Sequence, residues 1–295
     1  MVTVLSLTDP ARPGADNEDA VFVGAGVGVV VDGAGLPQEL RRGCSHPVSW
    51  FAQQLAHRFG TGLEDGNGMR PALAAAIVGV RDAHSGTCDL AAGSPSATVA
   101  AWRRHTDTVE LLSLCDAAAL VIDRGEVELL ADLRIDEVVP RPVRELRSLA
   151  EARGTHGGTD RGPAGELSAG ATRGLETRED LLRRRALTLR ALEETRNTEG
   201  GFWCAHTDPA AAQEARVRTL DRRDGMTLVA ASDGATRSFL RLGTHTLRSF
   251  GQACADGPLE AVRDEVRAAE REQAEHLRRR GSKVHDDLTL VVARG

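Results

Sequence analysis

Two hydrophobic periods alternate along this chain, and they divide it into strands and helices. Apolar, β-branched runs at residues 2–7, 20–24, 27–32, 96–102, 109–114, 117–122, 127–130, 226–231 and 287–293 predict strands. Apolar residues at helical spacing follow three prolines: Val48, Phe51, Leu55 and Phe59 after Pro47; Leu73, Ile77, Val80 and His84 after Pro71; Leu259, Val262, Val266 and Ala269 after Pro258. Proline suits a first helical turn, so each of these stretches predicts a helix. Residues 179–196 also read as helical, and 201–205 as a short strand. The turn Asp123-Arg124-Gly125-Glu126 marks a hairpin, and the four successive strands between 96 and 130 read as one antiparallel meander. That order is not an alternating βαβ pattern and predicts an α+β sandwich, in a single domain over 1–295.

Two stretches read as accessory. From Pro140 to about Glu179 periodicity is lost among many glycines, which predicts a mobile insertion with short helices near 143–153. Apart from the apolar side of Leu259, Val262, Val266 and Ala269, the last helix is rich in Glu and Arg, which reads as a solvated face carrying i,i+4 pairs.

Composition narrows the class. Of the 295 residues 41% are hydrophobic but only 3% aromatic, with no tyrosine, so Val, Leu and Ala must build the core. The net charge of −6 argues against a nucleic-acid partner, although arginines cluster in the middle third. Cys44, Cys88, Cys115, Cys204 and Cys254 form no CxxC pair and read as free thiols of a reducing compartment. The N-terminus lacks a basic region and soon meets Asp9 and Pro10, unlike a signal peptide. No run approaches the roughly 18 apolar residues of a membrane span. A cytoplasmic, soluble protein without a membrane partner is the expectation.

The chemistry lies in acidic stretches far apart in sequence: Asn17-Glu18-Asp19 with Asp32-Gly33, then Ser232-Asp233-Gly234, then His285-Asp286-Asp287. Most adjoin the end or start of an apolar strand, which fixes a carboxylate on a rigid element. Several such tips converging would make a hard, oxygen-rich pocket suited to Mg²⁺ or Mn²⁺. Asp32, after five apolar residues, is the natural bridge between two ions about 3.5–4 Å apart, and Gly33 would let its backbone approach closely.

The ordered set Asn17-Glu18-Asp19-Ala20, Val31-Asp32-Gly33-Ala34-Gly35, Ser96-Ala97-Thr98, Cys115-Asp116-Ala117, Ser232-Asp233-Gly234 and Asp286-Asp287-Leu288-Thr289 resembles the metal-dependent serine/threonine protein phosphatases of the type 2C class (PPM family), in their bacterial, actinobacterial-like form. The resemblance spans nearly the whole chain. It implies an α-β-β-α sandwich that hydrolyses phosphoserine and phosphothreonine with two Mn²⁺ or Mg²⁺ ions. By that resemblance Asp32 would bridge both metals, and Gly33, through its carbonyl, and Glu18 would serve one. Asp233 and Asp286 would hold the other, and Asp116 would help Asp233 hold a third. Asp19 would orient metal-bound water from behind the ligands, where Asp287 also stands. The implied partner is a phosphorylated protein met by a monomer, and residues 140–200 would form the variable flap.

The chain departs from the family pattern where phosphate is gripped and protons are donated. The family's clamping arginine position is Gly14 here, with Arg12 two residues away as the substitute. The histidine that eukaryotic members place after the bridging aspartate is Ala34. These gaps leave two alternatives open: a pseudophosphatase that binds a partner without hydrolysis, and a phosphatase of a small metabolite.

Cys44, His46, His84 and Cys88 have the residue types of a zinc site, and His84 and Cys88 lie at i and i+4. Against zinc, Cys44-x-His46 is an unusual spacing and His84 continues an apolar stripe, so a hydrogen-bonded core histidine is the favoured reading. His46 has a second reading as a substitute proton donor at the metal centre. His285 either tunes that centre or faces solvent.

Overall fold

A computed structural model describes residues 2–34, 43–138, 178–279 and 282–295, with backbone only for 178–182, 184 and 185. The expected helices near 143–153, most of the flap, and Gly35 lie outside the described residues.

The β-branched runs form two five-stranded antiparallel sheets. One has the order β1 (Thr3–Asp9), β10 (Leu288–Arg294), β9 (Thr227–Ala231), β6 (Ala118–Asp123), β7 (Glu126–Leu130). The other has the order β2 (Ala20–Val23), β3 (Val27–Ala34), β4 (Ser96–Arg104), β5 (Thr108–Leu114), β8 (Arg216–Asp221). The expected meander is therefore wrong: β4–β5 and β6–β7 are hairpins of different sheets. The chain changes sheet at Cys115, whose φ of 65° is rare for a residue with a Cβ. The 201–205 stretch makes only isolated bridges, Ala205 with Ala97 and Phe202 with Arg196.

Helices cover both outer faces. α1 (Val48–Glu64) and α2 (Met69–Ser85) lie on the second sheet, where Phe51, Leu55, Phe59, Leu73, Ile77 and Val80 are fully buried against Val29, Val31 and Val99. Pro71 sits inside the first turn of α2, not at its start. Short helices α3 (Arg134–Val138) and α5 (Ala211–Glu214) flank α4 (Arg178–Thr195) in sequence. α6 (Asp233–Leu240), α7 (Leu247–Asp256), α8 (Leu259–Glu272) and α9 (Ala274–Arg279) follow β9, and Phe250, Val262 and Val266 pack on the first sheet. The sequence pattern had not marked α6, α7 or β8.

Between the sheets lies a layer of Val30, Leu111, Val121, Leu228 and Val291 around Trp102. The Trp102 indole N–H donates to the Val291 carbonyl across the layer at 3.1 Å. Gly28 makes room for the ring, since a Cβ there would fall 2.3 Å from it. Trp102 is thus both the volume and the cross-sheet tie of an aromatic-poor core. Trp102→Ala should cost about 3–5 kcal/mol in a urea unfolding titration; a cost near zero would mean that the layer collapses around the void.

Candidate active site: an acidic cleft at one end of both sheets

Antiparallel register gathers the acidic residues. Ala20 pairs with Val31, so Asp19 and Asp32 meet at the same end of β2 and β3. Ala231 pairs with both Leu290 and Ala118, so Asp233, Asp286, Asp287 and Asp116 emerge together from β9, β10 and the crossover before β6. The two sheets present these ends side by side, and the backbone N–H of Asp233, in the first turn of α6, donates to Asp32 Oδ2 at 3.1 Å.

Two glycines allow the close approach. A Cβ at Gly33 would lie 2.4 Å from the Glu18 carbonyl oxygen, and one at Gly234 would lie 1.8 Å from that of Asp287. The Asp-Gly pairs thus serve backbone packing as well as any approach to an ion.

The carboxylates crowd one another. Asp19 is buried, while Asp32, Asp116 and Asp233 keep an edge in solvent and are otherwise enclosed by protein. Burial, then the neighbouring charges of Asp286 and Asp116, push Asp233 up to about 8 against the opposing Arg241 and Lys283. Burial pushes Asp19 up to about 7 despite side-chain hydrogen bonds with Thr289 and Ser232. Burial and then Asp19 and Asp233 hold Asp32 well above the carboxylate range, and burial raises Asp116. Asp19 Oδ2 is buried with no hydrogen-bond partner among the described residues. An uncompensated set of oxygen donors fits a hard divalent cation, so Asp32, Asp233, Asp286, Asp116, Glu18 and the Gly33 carbonyl could hold one or more.

Asp287 fixes the neighbouring loop. Its two oxygens accept from the backbone N–H of Ala11 at 2.6 Å and of Glu18 at 2.7 Å. Between those anchors a turn closes with Ala15 N–H on the Arg12 carbonyl, and Gly14 takes a φ of 77°. A cleft of about 910 Å³ opens there, lined by Arg12, Gly14, Glu18, Lys283, Asp286 and Asp287 among others. Arg12 therefore borders the same space as Glu18, Asp286 and Asp287. His46 stands among thiols; its Nδ1 is 3.3 Å from Cys88 Sγ and 3.6 Å from Cys44 Sγ.

Three contributors were missed in the sequence. The Lys283 ammonium is 2.9 Å from Asp286 Oδ1 at the cleft. Glu270 and Arg267, on the stretch read as a solvated face, form a buried network instead. Glu270 is 0% exposed and receives Arg237 Nη1 at 2.9 Å and Arg267 Nη1 at 2.8 Å, with His285 Nδ1 also at 2.8 Å. The same arginines donate onward to the carbonyls of Lys283 at 2.9 Å and Asp286 at 2.8 Å. His285 is thus tied to this network. The available signal was the helical period itself: Glu270 follows Val262, Val266 and Ala269 on or beside the buried stripe.

The arrangement was compared with known proteins. No family model matches the chain, and no curated protein sequence matches it. Solved structures do. The serine/threonine phosphatase PstP/Ppp of Mycobacterium tuberculosis superposes with a TM-score of 0.55 at 15% identity, over 99% of this chain and 98% of that one. Stp1 of Staphylococcus aureus gives 0.56 at 13% identity, over 100% and 95%. A PstP catalytic domain in complex with two manganese ions gives 0.51 at 13%, over 99% and 97%. At these identities the likeness shows the fold, the α-β-β-α sandwich of PPM-type phosphatases.

The raised carboxylates make stability depend on pH and on metal. Asp19 and Asp233 ionise near 3.8 when unfolded but near 7 and 8 when folded. Such groups stabilise the fold fully below the unfolded value, and that contribution is lost as pH rises to the folded one. In metal-free protein, raising the pH from 5 to 8 should therefore lower the melting temperature of the wild type relative to Asp233→Asn. Manganese should restore the wild type at pH 8 and act less at pH 5, because ligands must deprotonate to bind. Parallel melting curves for the two proteins, with or without metal, would contradict this.

Proposed function

We propose that the chain is a metal-dependent phosphatase of phosphoserine and phosphothreonine in proteins, acting in the cytoplasm as a monomer. The observation that carries the reading is the gathering of Asp19, Asp32, Asp116, Asp233 and Asp286 at one end of both sheets, supported by the phosphatase fold. Two Mn²⁺ or Mg²⁺ ions held by Asp32, Gly33, Glu18, Asp233 and Asp286, with a third at Asp116, would supply Lewis-acid activation and charge neutralisation for in-line displacement at phosphorus.

The chain's own residues do the rest. Asp32 would take the bridging position, and the Asp233 N–H donates to its Oδ2 and keeps its orientation. Asp19, whose buried Oδ2 has no hydrogen-bond partner among the described residues, would accept a hydrogen bond from the attacking water and aim its lone pair. Arg12 and Lys283 line the cleft as cations for the phosphate oxygens. Arg12 offers a planar two-point fork and Lys283 a point charge, so together they can cover the absence of arginine at Gly14. Asp287 keeps Arg12 in place by anchoring the loop at Ala11 and Glu18.

One observation favours the pseudophosphatase alternative: the Lys283 ammonium already sits on Asp286 and supplies positive charge where an ion would. Both readings meet one experiment, manganese-dependent hydrolysis of a phosphothreonine peptide and of an aryl phosphate, beside manganese titration by calorimetry. Turnover should appear with manganese and fall by on the order of 10²–10³ in Asp32→Asn and Asp233→Asn, as for loss of a preorganised charge contact. Arg12→Ala should raise KM more than it lowers kcat. Manganese binding without turnover above the Asp32→Asn control would overturn the enzyme in favour of the binding module. Turnover of small phosphate esters but of no phosphopeptide would point to a metabolite.

A further inference from the structure

Away from the acidic cleft, a loop and a helix end bring two thiols and two imidazoles together. Cys44 and His46 lie just before α1, and His84 and Cys88 at and just past the last turn of α2. Cys88 Sγ is 3.4 Å from Cys44 Sγ and 3.3 Å from His46 Nδ1. Cys44 Sγ is 3.5 Å from His84 Nδ1 and 3.6 Å from His46 Nδ1. All four donor atoms fall within 4.8 Å of one another. A tetrahedral zinc ion, with sulfur at about 2.3 Å and nitrogen at about 2.0–2.1 Å, sets its donors roughly 3.4–3.8 Å apart. The side chains thus already stand close to the edges of that tetrahedron.

We infer that Cys44, His46, His84 and Cys88 bind one structural zinc ion.

The surroundings fit this role. Cys44 and His84 are 4% and 0% exposed, so the centre is closed on its inner side, as structural zinc sites are. The loop is also preset. Asp89 N–H donates to the Gly43 carbonyl at 2.8 Å, and a Cβ at Gly43 would lie 1.8 Å from the Asp89 carbonyl oxygen, so the two ligand pairs are clamped before any ion arrives. The Trp50 ring lies on His46 with centroids 4.1 Å apart and walls the outer side.

The spacing explains why the sequence left this site unfavoured. His84-x3-Cys88 is an ordinary half-site on a helix, but Cys44-x-His46 becomes one only when the loop folds back on the end of α2. His84 is indeed a core histidine on the stripe of Leu73, Ile77 and Val80, and its Nδ1 still faces the thiols. Binding would release both thiol protons to solvent and involves no redox change.

The test is metal analysis of the full chain purified under reducing conditions without added metal, followed by cobalt substitution. Zinc should be present at about one per chain. Cobalt should give the thiolate charge-transfer absorption and the intense d–d bands of a tetrahedral centre. Zinc content should fall to near zero in Cys88→Ser and return in Cys88→His, while Asp32→Asn/Asp233→Asn, which disables the acidic cleft, should retain it. Should Cys88→Ser not fold, the cobalt spectrum of the wild type decides alone. Absence of zinc together with a cobalt spectrum lacking thiolate bands overturns the inference. So does zinc that is lost with the acidic residues instead of the cysteines. A Cys44–Cys88 disulfide in the air-exposed protein, with no metal uptake after reduction, overturns it in favour of a redox pair. None of these outcomes depends on phosphatase activity.

Discussion

Like charge held in one place is the constraint around which this molecule is organised. Burial raises the pKa values of Asp19, Asp32, Asp116 and Asp233, and neighbouring carboxylates add to the rise, Asp286 at each of the four. Lys283 and Arg241 oppose the effect only in part at Asp233, whose pKa still reaches about 8. A fold that keeps such a set must stabilise it by other means, here by hydrophobic layers on both sides of both sheets. Any divalent cation entering the cleft then gains from charge repulsion that folding has already imposed.

Rigid backbone anchors keep the repulsion from opening the cleft. Glu270 is a buried charge that receives two arginines, and those arginines also bind the carbonyls of Lys283 and Asp286. Arg267 reaches Asp9 Oδ2 as well, at 2.7 Å, and so ties the end of β1 to the loop before β10. A buried ion pair of this kind adds little net stability, but removal of one partner leaves an uncompensated charge that costs about 3–5 kcal/mol. Its use here is positional: it fixes the loop that carries Asp286 and Asp287 relative to α8. Asp287 extends the same logic by spending both its oxygens on backbone N–H groups.

The strand tips were legible in the sequence because an aspartate after an apolar β-branched run is a local signal. Asp32 and Asp233 could be read that way, and the register then brought them together. The helices packed on the second sheet were legible for the same reason, in Phe51, Leu55, Leu73 and Ile77. What escaped was non-local. Nothing near Cys115 announces that the chain changes sheet there, so two hairpins looked like one meander. Strand β8 is short and mostly exposed, with the burial of an edge, and its alternation is masked by Arg216 and Arg218. Glu270 and Arg267 were hidden by composition: a buried charge looks like a solvated one until its partners from other elements are known. Lys283 was likewise unremarkable until the loop placed its amine on Asp286.

The two candidate ion sites differ in chemistry and are joined by one helix. The cleft offers carboxylate and carbonyl oxygens, which suit Mg²⁺ or Mn²⁺; the loop before α1 and the end of α2 offer thiolate and imidazole, which suit zinc. Donor softness therefore sorts the ions without selectivity by size. The sites are nonetheless mechanically close. Val48 opens α1 immediately after the Cys44–His46 loop, and its Cγ1 packs against Gly33 so tightly that a Cβ there would be 2.5 Å away. Gly33 follows Asp32, and its carbonyl is one of the oxygens proposed above to hold an ion. Closing the thiol–imidazole centre holds the start of α1, and the start of α1 limits how far Gly33 can move. The loop cluster thus bears on the acidic cleft through packing, with no shared ligand, because an interior at native density transmits displacement instead of absorbing it.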